Sequence, residues 1–443
     1  MKDYPMVTIQ LPVFNEKYVV ERLIETVAGL DYPKDRLEIQ VLDDSNDETS
    51  EIIKNLLPKI KAEGVNIAHI QREDRTGFKA GALEEGLAGS KGELIAIFDA
   101  DFIPKKEFLL ETLSYFENSK VGVVQTRWEH LNREDSLLTK LQAFALDAHF
   151  SVEQAGRNAY EHFINFNGTA GIWRKATITD AGGWQHDTLT EDLDLSYRAQ
   201  LKGWKFIYLE DIYSPAELPV SISALKNQQF RWIKGGAENF VKNGKLLLTM
   251  EKIKPLNRLH GLAHLFNSSV YFFIFIMALI TMPLTFAGVS NANVATALNW
   301  MSLFFLSTLL LMFYYGTSYR EAASKSYRWP LFIWRFIQFL TVSLGLSYYN
   351  AKGVFQAYIG KKTAFVRTPK FNKTEKKNWL KNAYLSKKWR SENLIELILL
   401  LYFIAGVLVS YFYGYYGMIP FQVMLVFGYG TVLIYSWVEY RGR

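Results

Sequence analysis

The chain has 443 residues, of which 49% are hydrophobic and 15% aromatic, and its formal net charge at pH 7 is +6. It contains no cysteine, which excludes disulfides, thiolate catalysis and zinc–thiolate sites. Residues 352–390 hold twelve Lys or Arg residues and one acid, so the rest of the chain is net acidic. No nucleic-acid partner is therefore expected, since that function requires a basic stripe on a folded domain.

Residues 1–254 alternate short apolar runs with amphipathic segments, which predicts an α/β domain with a mostly parallel sheet. The predicted strands are Val7–Leu11, Leu37–Leu42, Asn66–Ile70, Leu94–Phe98, Val121–Gln125 and Lys205–Leu209. The predicted helices are Tyr18–Leu30, Glu48–Glu63 and Lys79–Ser90. Pro12 to Glu16 follow the first strand in place of a Gly-x-Gly-x-x-Gly turn, so a dinucleotide-binding fold is not favoured. The first residues lead directly into a strand without a signal peptide, so this domain is expected in the cytoplasm.

Residues 255–443 are predicted to form a multi-pass transmembrane domain in the inner or plasma membrane. Four apolar stretches are each long enough to cross the ~30 Å hydrocarbon core of the lipid bilayer. They are Leu265–Ala287, Leu298–Gly316, Leu394–Tyr413 and Met418–Val438. Two crossings on each side of the basic segment 352–390 place that segment and the C-terminal arginines in the cytoplasm. A fifth apolar stretch, Trp329–Tyr349, carries Arg335 and is therefore predicted to be an interfacial or re-entrant helix.

The strand Leu94–Phe98 ends at two carboxylates, Asp99 and Asp101, which are separated by one residue. Ligands of parallel sheets bind beyond the carboxyl ends of the strands. Two carboxylates at this position suit a hard divalent cation that bridges the phosphates of a nucleotide. A solvated turn is the alternative, and Asp-x-Asp taken alone would favour it.

Asp43 and Asp44 end the second strand, where a carboxylate can accept a hydrogen bond from a uracil imide or a ribose. The alternative is a cap for the next helix, because three residues of capping type follow. Lys79 lies at the start of a predicted helix, and a helix N-terminus with a lysine favours a diphosphate. A surface lysine on a Gly-rich turn is the corresponding alternative.

Thr190, Glu191 and Asp192 are predicted to begin a helix. Asp192 would then cap the helix and complement its dipole, or act as a general base. A sugar hydroxyl that attacks an anomeric carbon must lose a proton, and a positioned carboxylate can accept it.

The segment Gln228–Trp232 combines an arginine with a tryptophan. Arg231 suits a diphosphate leaving group because its planar fork makes paired hydrogen bonds, and Trp232 offers a flat face for a sugar ring. An amphipathic helix with the tryptophan in the core is the alternative. The loop Phe166–Gly171 is small and polar, as expected near an acceptor, and is equally compatible with a plain turn. The histidines lack zinc-ligand spacing, and neither a Gly-x-Ser-x-Gly elbow nor a Walker loop is present.

These motifs together resemble the D, DxD, TED, QxxRW set of the processive glycosyltransferases of family 2, which includes cellulose and hyaluronan synthases. The sequence around them is similar to the cellulose-synthase-like mannan and glucan synthases of plants and their bacterial relatives. The resemblance extends from about Pro5 to Trp232 and weakens through the membrane part.

The resemblance implies a GT-A fold, an inverting transfer from a nucleotide sugar, and a Mg²⁺ or Mn²⁺ cofactor. The expected donor-binding residues are Glu16, Asp43, Asp44, Lys79, Asp99, Gln228 and Arg231, and the expected metal ligands are Asp101 and Asp99. The expected catalytic residues are Asp192 and Glu191, with Asp192 as the base. The expected acceptor-binding residues are Trp232, Phe166, Asn167 and Gly168.

Residues 365–371 resemble the gating loop FxVTxK of cellulose synthase, which implies that Phe365, Thr368 and Lys370 close over an anionic nucleotide. Arg367 stands where valine is usual. Related synthases also carry transmembrane helices before the catalytic domain, and none is found here. Four transmembrane crossings alone would form only a narrow channel for a polymer, so a homo-oligomer or an accessory subunit is expected.

The resemblance implies a membrane-embedded synthase that polymerises a β-linked glucan, mannan or glucomannan and passes it across the membrane. UDP-glucose and GDP-mannose both remain open as donors, and the growing polysaccharide is the acceptor. The alternative is a non-processive transferase that makes a glycolipid or a polyprenyl-phosphate sugar.

Overall fold

The structure is a computed structural model of the chain, and it describes residues 4–251, 253–300, 305–323, 328–370, 372 and 391–441. Residues 373–390 of the predicted basic segment therefore lie outside the described residues, as do Phe371 of the predicted gating loop and Arg443.

A seven-stranded mixed sheet organises the N-terminal part of the chain. Its strands are β1 (Val7–Val13), β2 (Leu37–Asp43), β3 (Ile67–Gln71), β4 (Leu94–Ile97), β5 (Val121–His130), β6 (Gly171–Arg174) and β7 (Lys205–Ala216). They lie in the order β3-β2-β1-β4-β6-β5-β7. Strands β1, β2, β3 and β4 are parallel to one another, and β5 is parallel to β7. Strand β6 runs antiparallel to both β4 and β5.

Helices cover both faces of this sheet, which explains why its central strands are almost continuously buried. The helices of this part are α1 (Val20–Ala28), α2 (Thr49–Ala62), α3 (Phe78–Gly89), α4 (Phe108–Thr112), α5 (Leu137–Ala148), α6 (Ala155–Ala159), α7 (Lys175–Asp180), α8 (Glu191–Leu201) and α9 (Ile222–Thr249). On one face, Ile9 and Leu11 pack with residues of α1, α2 and α4. On the other face, Ile95 and Trp173 pack with residues of α3 and α8.

The predicted strands and helices of this part are confirmed, and the sheet is parallel apart from β6. The sequence did not predict β6, because its four residues follow a turn-like segment and show no strand periodicity of their own. Since β1, β2 and β4 are parallel, the residues that follow them meet at one edge of the sheet. That edge carries the candidate site.

The C-terminal part is helical within the described residues. Its helices are α10 (Pro255–Phe266), α11 (Val270–Ser290), α12 (Ala292–Trp300), α13 (Phe305–Ala323), α14 (Trp329–Gly345), α15 (Ser347–Tyr358), α16 (Ser391–Phe412) and α17 (Ile419–Arg441). Three helical runs among the described residues are long and apolar enough to cross a membrane: Pro255–Ser290, Ser391–Phe412 and Tyr416–Arg441. The pair α14 and α15, bent by 51° at its break, would add a fourth if it forms one span.

The predicted crossing over residues 298–316 includes residues 301–304, which lie outside the described residues, so it stays a prediction. Helix α12 ends before these residues and α13 begins after them. The predicted interfacial or re-entrant stretch corresponds to the bent pair α14–α15.

Helix α9 connects the sheet to the apolar helices. It packs along α15, where Gly353 faces Phe230 and Lys234 of α9. A second contact joins α5 to α13, where the rings of Phe144 and Tyr315 stack with centroids 5.1 Å apart. The candidate site is therefore built on elements that the apolar helices hold in place.

Candidate active site

A cavity lies at the carboxyl edge of the sheet, against the start of α8 and the helix α9. Residues 365–370 also line it, and we call this segment the cavity loop. Among the predicted site residues, the cavity is lined by Glu16, Asp44, Lys79, Asp99, Asp101, Asn167, Gly168, Glu191, Asp192, Gln228, Arg231, Trp232, Phe365, Thr368 and Lys370. Residues that are up to about 350 positions apart in the sequence thus meet in one place.

Lys79 lies in the first turn of α3 and contacts two walls of the cavity. Its Nζ donates to Asp99 Oδ1 at 2.5 Å and to the carbonyl of Gly168 at 2.8 Å. Gly77, just before α3, has a φ of +76°, which glycine adopts easily and which turns the helix N-terminus toward the cavity. Burial lowers the pKa of Lys79, but the charges of Asp99, Glu191 and Asp192 and the hydrogen bond to Asp99 together outweigh this effect, so the net shift is upward. The ammonium is thus charged and suited to an anion.

Asp101 is buried, with 2% of its surface exposed. Its Oδ2 accepts hydrogen bonds from the amide of Glu217 at 3.0 Å and from Lys370 Nζ at 2.7 Å. Together with Asp99 it offers hard oxygen donors, which suit Mg²⁺ or Mn²⁺. The part of the chain that the structure describes has no group of three or more acidic or histidine side chains that could hold a metal ion. A divalent ion here would therefore need phosphate oxygens and water as further ligands, which is common for Mg²⁺.

Asp192 and Glu191 lie side by side in the first turn of α8. Asp192 Oδ1 accepts from the amide of Leu193 at 2.8 Å. Its Oδ2 lies against Gly168, where an added Cβ would come within 3.0 Å. Burial and then the neighbouring Glu191 raise the pKa of Asp192 to about 7, although Lys79 opposes the shift. Burial likewise raises the pKa of Glu191. A carboxyl group that titrates near neutral pH is suited to general base catalysis.

One face of α9 supplies Gln228, Arg231 and Trp232, which are spaced three and four residues apart as a helix face requires. Arg231 Nη1 donates to the carbonyl of Val366 at 2.9 Å, and its guanidinium lies 4.5 Å from the ring centroid of Phe365. Burial lowers the pKa of Arg231, but an arginine remains charged in proteins. Arg231 thus faces the cavity and also fastens the cavity loop.

The cavity loop is also fastened by its own cations. Arg367 Nε lies 3.2 Å from Glu16 Oε1, and Arg367 Nη1 donates to the carbonyl of Phe14 at 3.3 Å. Burial raises the pKa of Glu16 to about 8, although Arg367 and Lys370 draw it down. The arginine that replaces the usual valine therefore ties the loop to the turn after β1.

Motif analysis missed two arginines that surround Asp44. Arg72 makes a two-pronged contact, with Nε 2.9 Å from Asp44 Oδ1 and Nη2 2.5 Å from Oδ2. Arg75 lines the cavity and lies 3.9 Å from Asp44 Oδ2. The signal in the sequence was the charged run Arg72 to Arg75 between a strand end and the Gly-rich start of α3.

Asp43 and Phe166, two of the predicted site residues, are not among the described residues that line the cavity. Asp43 is turned to the other side of β2, where it accepts from Ser50 Oγ at 2.6 Å and lies 2.8 Å from His69 Nε2. Burial raises the pKa of Asp43, but hydrogen bonds from His69, Ser45 and Ser50 together outweigh this effect, so the net shift is downward. Phe166 is fully buried and packs edge-on against Trp173.

Two family models match this chain over more than half of its length. The model described as glycosyltransferase like family 2 matches residues 5–235, and the model described as cellulose synthase matches residues 171–439. The resemblance predicted from the four motifs is thereby confirmed.

Curated relatives include glucomannan 4-beta-mannosyltransferase 1 of Cyamopsis tetragonoloba, which is 43% identical over 290 residues, or 64% of this chain and 54% of the relative. Glucomannan 4-beta-mannosyltransferase 9 of Arabidopsis thaliana is 43% identical over 262 residues, or 58% of this chain and 49% of the relative. The chain spans about half the length of the curated relatives it matches.

A mannosyltransferase from Pyrobaculum calidifontis, solved in complex with GDP-Man and Mn²⁺, shares the fold. It superimposes with a TM-score of 0.55 at 18% sequence identity, over 81% of this chain and 88% of the other. The predicted GT-A-type domain followed by an apolar helical part is confirmed, and the described part of the chain contains three to four apolar helices that are long enough to cross a membrane.

Proposed function

The chain belongs to family 2 of the glycosyltransferases, and from this membership we propose that it is an inverting β-mannosyltransferase that extends a mannan or glucomannan. The observation that carries the proposal is the meeting of Lys79, Asp99, Asp192 and Arg231 in one cavity. The names of the curated relatives favour mannose as the sugar, and hence GDP-mannose rather than UDP-glucose as the donor.

The proposed reaction is a single displacement at the anomeric carbon of the donor sugar. A hydroxyl oxygen of the acceptor forms the new bond, the bond to the diphosphate breaks, and the configuration inverts. Asp192 Oδ2 takes the proton of the attacking hydroxyl, since Oδ1 is already engaged with the amide of Leu193. Gly168 supports this role because the absence of a side chain leaves space at Oδ2.

The departing diphosphate gains negative charge, and the cavity supplies fixed positive charge to balance it. Lys79 and Arg231 are half-buried cations that face this space. Asp99 and Asp101 would hold the divalent metal. When bound, the metal would add positive charge at the diphosphate.

We propose that Trp232 stacks on the terminal sugar of the growing chain and so favours repeated transfer. Trp232→Ala should therefore reduce elongation by about tenfold or more while it leaves donor hydrolysis nearly unchanged, since stacking on an aromatic face contributes about 1–3 kcal/mol in comparable ring contacts. Polymer length on gels and release of free mannose measure the two activities. An equal loss of both would argue against acceptor stacking.

We also propose that the sheet part lies at the cytoplasmic face of a membrane and that the helices carry the polymer outward. The contact of α9 with α15 supports this arrangement, because it places the cavity next to the apolar helices.

A donor screen on the purified protein in detergent tests the proposed function. The protein would be incubated with radiolabelled GDP-mannose or UDP-glucose in the presence of Mg²⁺ or Mn²⁺, and label would be counted in an ethanol-insoluble pellet and in an organic extract. Label from GDP-mannose in the pellet, made soluble again by a β-mannanase, is the expected result. Label from UDP-glucose in the pellet would exclude mannose as the sugar. Label in the organic phase alone would exclude the polymerase and favour a lipid glycosyltransferase.

A further inference from the structure

The side chain of Arg22 in α1 contacts three separate segments of the chain behind the wall of the cavity. Its Nη2 donates to Glu217 Oε1 at 3.0 Å and lies 3.5 Å from the carbonyl oxygen of Asp101. Its Nη1 donates to Asn372 Oδ1 at 3.0 Å. Arg22 is not among the described residues that line the cavity, so it acts on the site through these partners.

The segments that Arg22 contacts are the same ones that hold the carboxylate of Asp101. Asp101 Oδ2 accepts hydrogen bonds from the amide of Glu217 and from Lys370 Nζ. Glu217 directly follows β7, and Lys370 of the cavity loop stands two residues before Asn372. Arg22 thus fastens the first donor through the carboxylate of Glu217 and the second through Asn372. One side chain of α1 holds both donors against Asp101.

The ion pair between Arg22 and Glu217 is largely withdrawn from water, since 15% and 2% of the two side chains are exposed. Removal of two charges from water opposes folding, and their mutual attraction often only offsets this effect, so a buried pair is weak evidence for stability. Groups that hydrogen-bond a metal ligand, by contrast, fix its orientation, and replacing them lowers metal affinity by about 10–100-fold. Asp101 is the predicted metal ligand, so the contacts of Arg22 fit this second role.

We propose that Arg22 is a positioning residue for the divalent metal, because it holds in place the two donors that orient Asp101. The inference rests on the proposed nucleotide-sugar transfer and adds to it a residue outside the four motifs. Without the guanidinium, the buried carboxylate of Glu217 loses its cation and Asn372 loses its donor. Asp101 is then no longer held in one orientation and binds the metal more weakly, while the groups that contact the nucleotide directly are unchanged.

The test is a calorimetric titration of the full chain in detergent with GDP, once with saturating Mn²⁺ and once with EDTA. The ratio of the two affinities, which we call the metal enhancement, measures how much the metal contributes to nucleotide binding. We expect wild type to bind GDP more tightly with Mn²⁺ than with EDTA. Arg22→Met should lower the metal enhancement by about tenfold or more, while the affinity for GDP in EDTA stays the same.

Arg174→Met is the matched control, because Arg174 is also a half-buried arginine that joins separate segments, with Nη2 donating to the carbonyl of Phe116 at 2.7 Å. Arg174 pairs with Leu94, the first residue of β4, and therefore lies at the edge of the sheet opposite the cavity. This variant should lower the midpoint of thermal unfolding but keep the metal enhancement of wild type. Arg22→Lys keeps the charge beside Glu217 without the planar fork that reaches two partners, so it should lower the enhancement less than Arg22→Met.

An unchanged metal enhancement in Arg22→Met would overturn the inference. An equal loss of GDP affinity in Mn²⁺ and in EDTA would also overturn it, because Arg22 would then act on the nucleotide or on the fold. If Arg22→Met does not fold, Arg22→Lys carries the test, and a metal enhancement equal to that of wild type would contradict the inference. Binding of GDP to wild type without any metal enhancement would overturn the inference alone, whereas absence of GDP binding to wild type would overturn the proposed function as well.

Discussion

The environment of Asp192 predicts the pH dependence of transfer. Burial and Glu191 raise its pKa to about 7, so the carboxyl is mostly protonated below that pH and ionised above it. Only the ionised form can accept a proton from the attacking hydroxyl, so the transfer rate should rise with pH through about 7. Asp192→Asn should lower transfer by about 100-fold or more and remove this rise, while donor binding stays nearly intact. Initial rates of label transfer over a pH series, together with donor titrations, measure both effects.

Asp180→Asn is the matched control for this substitution, because Asp180 lies on the surface and pairs there with Lys202. It should keep both the rate and the rise with pH. Unchanged turnover in Asp192→Asn would remove Asp192 from the role of base.

Residue types at the strand ends could be predicted from the sequence, but the partners of those residues could not. Asp99 and Asp101 stand out because carboxylates directly follow an apolar run. Asp43 and Asp44 are adjacent and look alike, yet the pleat turns Asp43 toward His69 and Asp44 toward the cavity. The sequence does not show which neighbour faces which side until the position of the strand in the sheet is known.

The crossing of α14 and α17 depends on two glycines that let the backbones touch. A Cβ added at Gly428 would lie 2.3 Å from the carbonyl oxygen of Thr341, and one added at Gly345 would lie 2.3 Å from that of Gly428. Such contacts force the helices apart, because interiors are close-packed and backbone atoms cannot yield as a flexible side chain can. Close packing of small residues is a main source of helix association in membranes.

Gly428→Ala should therefore lower the midpoint of thermal unfolding in detergent by several degrees, which corresponds to an overpacking cost of about 1–3 kcal/mol. Gly430→Ala is the matched control on the same helix, because an added Cβ there meets no atom within 4 Å. The Gly430 variant should unfold like wild type. Equal midpoints for the two variants would show that the crossing tolerates separation.

Sequence periodicity located elements well where each formed a single unbroken unit. Strand β1 and helix α16 match their predicted positions because their apolar runs are continuous. The stretch Trp329–Tyr349 was predicted as an interfacial or re-entrant helix because of Arg335, but the position of the break between α14 and α15 was not, since hydropathy measures apolar length and carries no information on helix direction.

In the whole molecule, α9 joins the candidate site to the apolar helices. Lys226, five residues before Arg231, is buried and lies 2.6 Å from Glu396 of α16. Its Nζ also donates to Ser436 of α17 at 3.1 Å. The helix that carries Arg231 and Trp232 is thus fixed to α16 through one ion pair and to α17 through one hydrogen bond. The position of those helices should therefore influence the geometry of the site.

Replacing one partner of this ion pair should destabilise the protein more than replacing both partners. Lys226→Met leaves the carboxylate of Glu396 buried without its cation, a loss of about 3–5 kcal/mol, whereas a buried pair replaced by apolar residues is often neutral. We expect Lys226→Met to lower both the thermal midpoint and the transfer rate, and Lys226→Met combined with Glu396→Leu to recover most of the midpoint. Lys59→Met is the control, because its pair with Glu25 is exposed and should contribute little.

If the double variant regains stability but not transfer, the ion pair does more than hold the fold together, since it also sets the position of Arg231 and Trp232 against the cavity. If the double variant unfolds as early as the single one, the coupling between Lys226 and Glu396 is not what fixes α9.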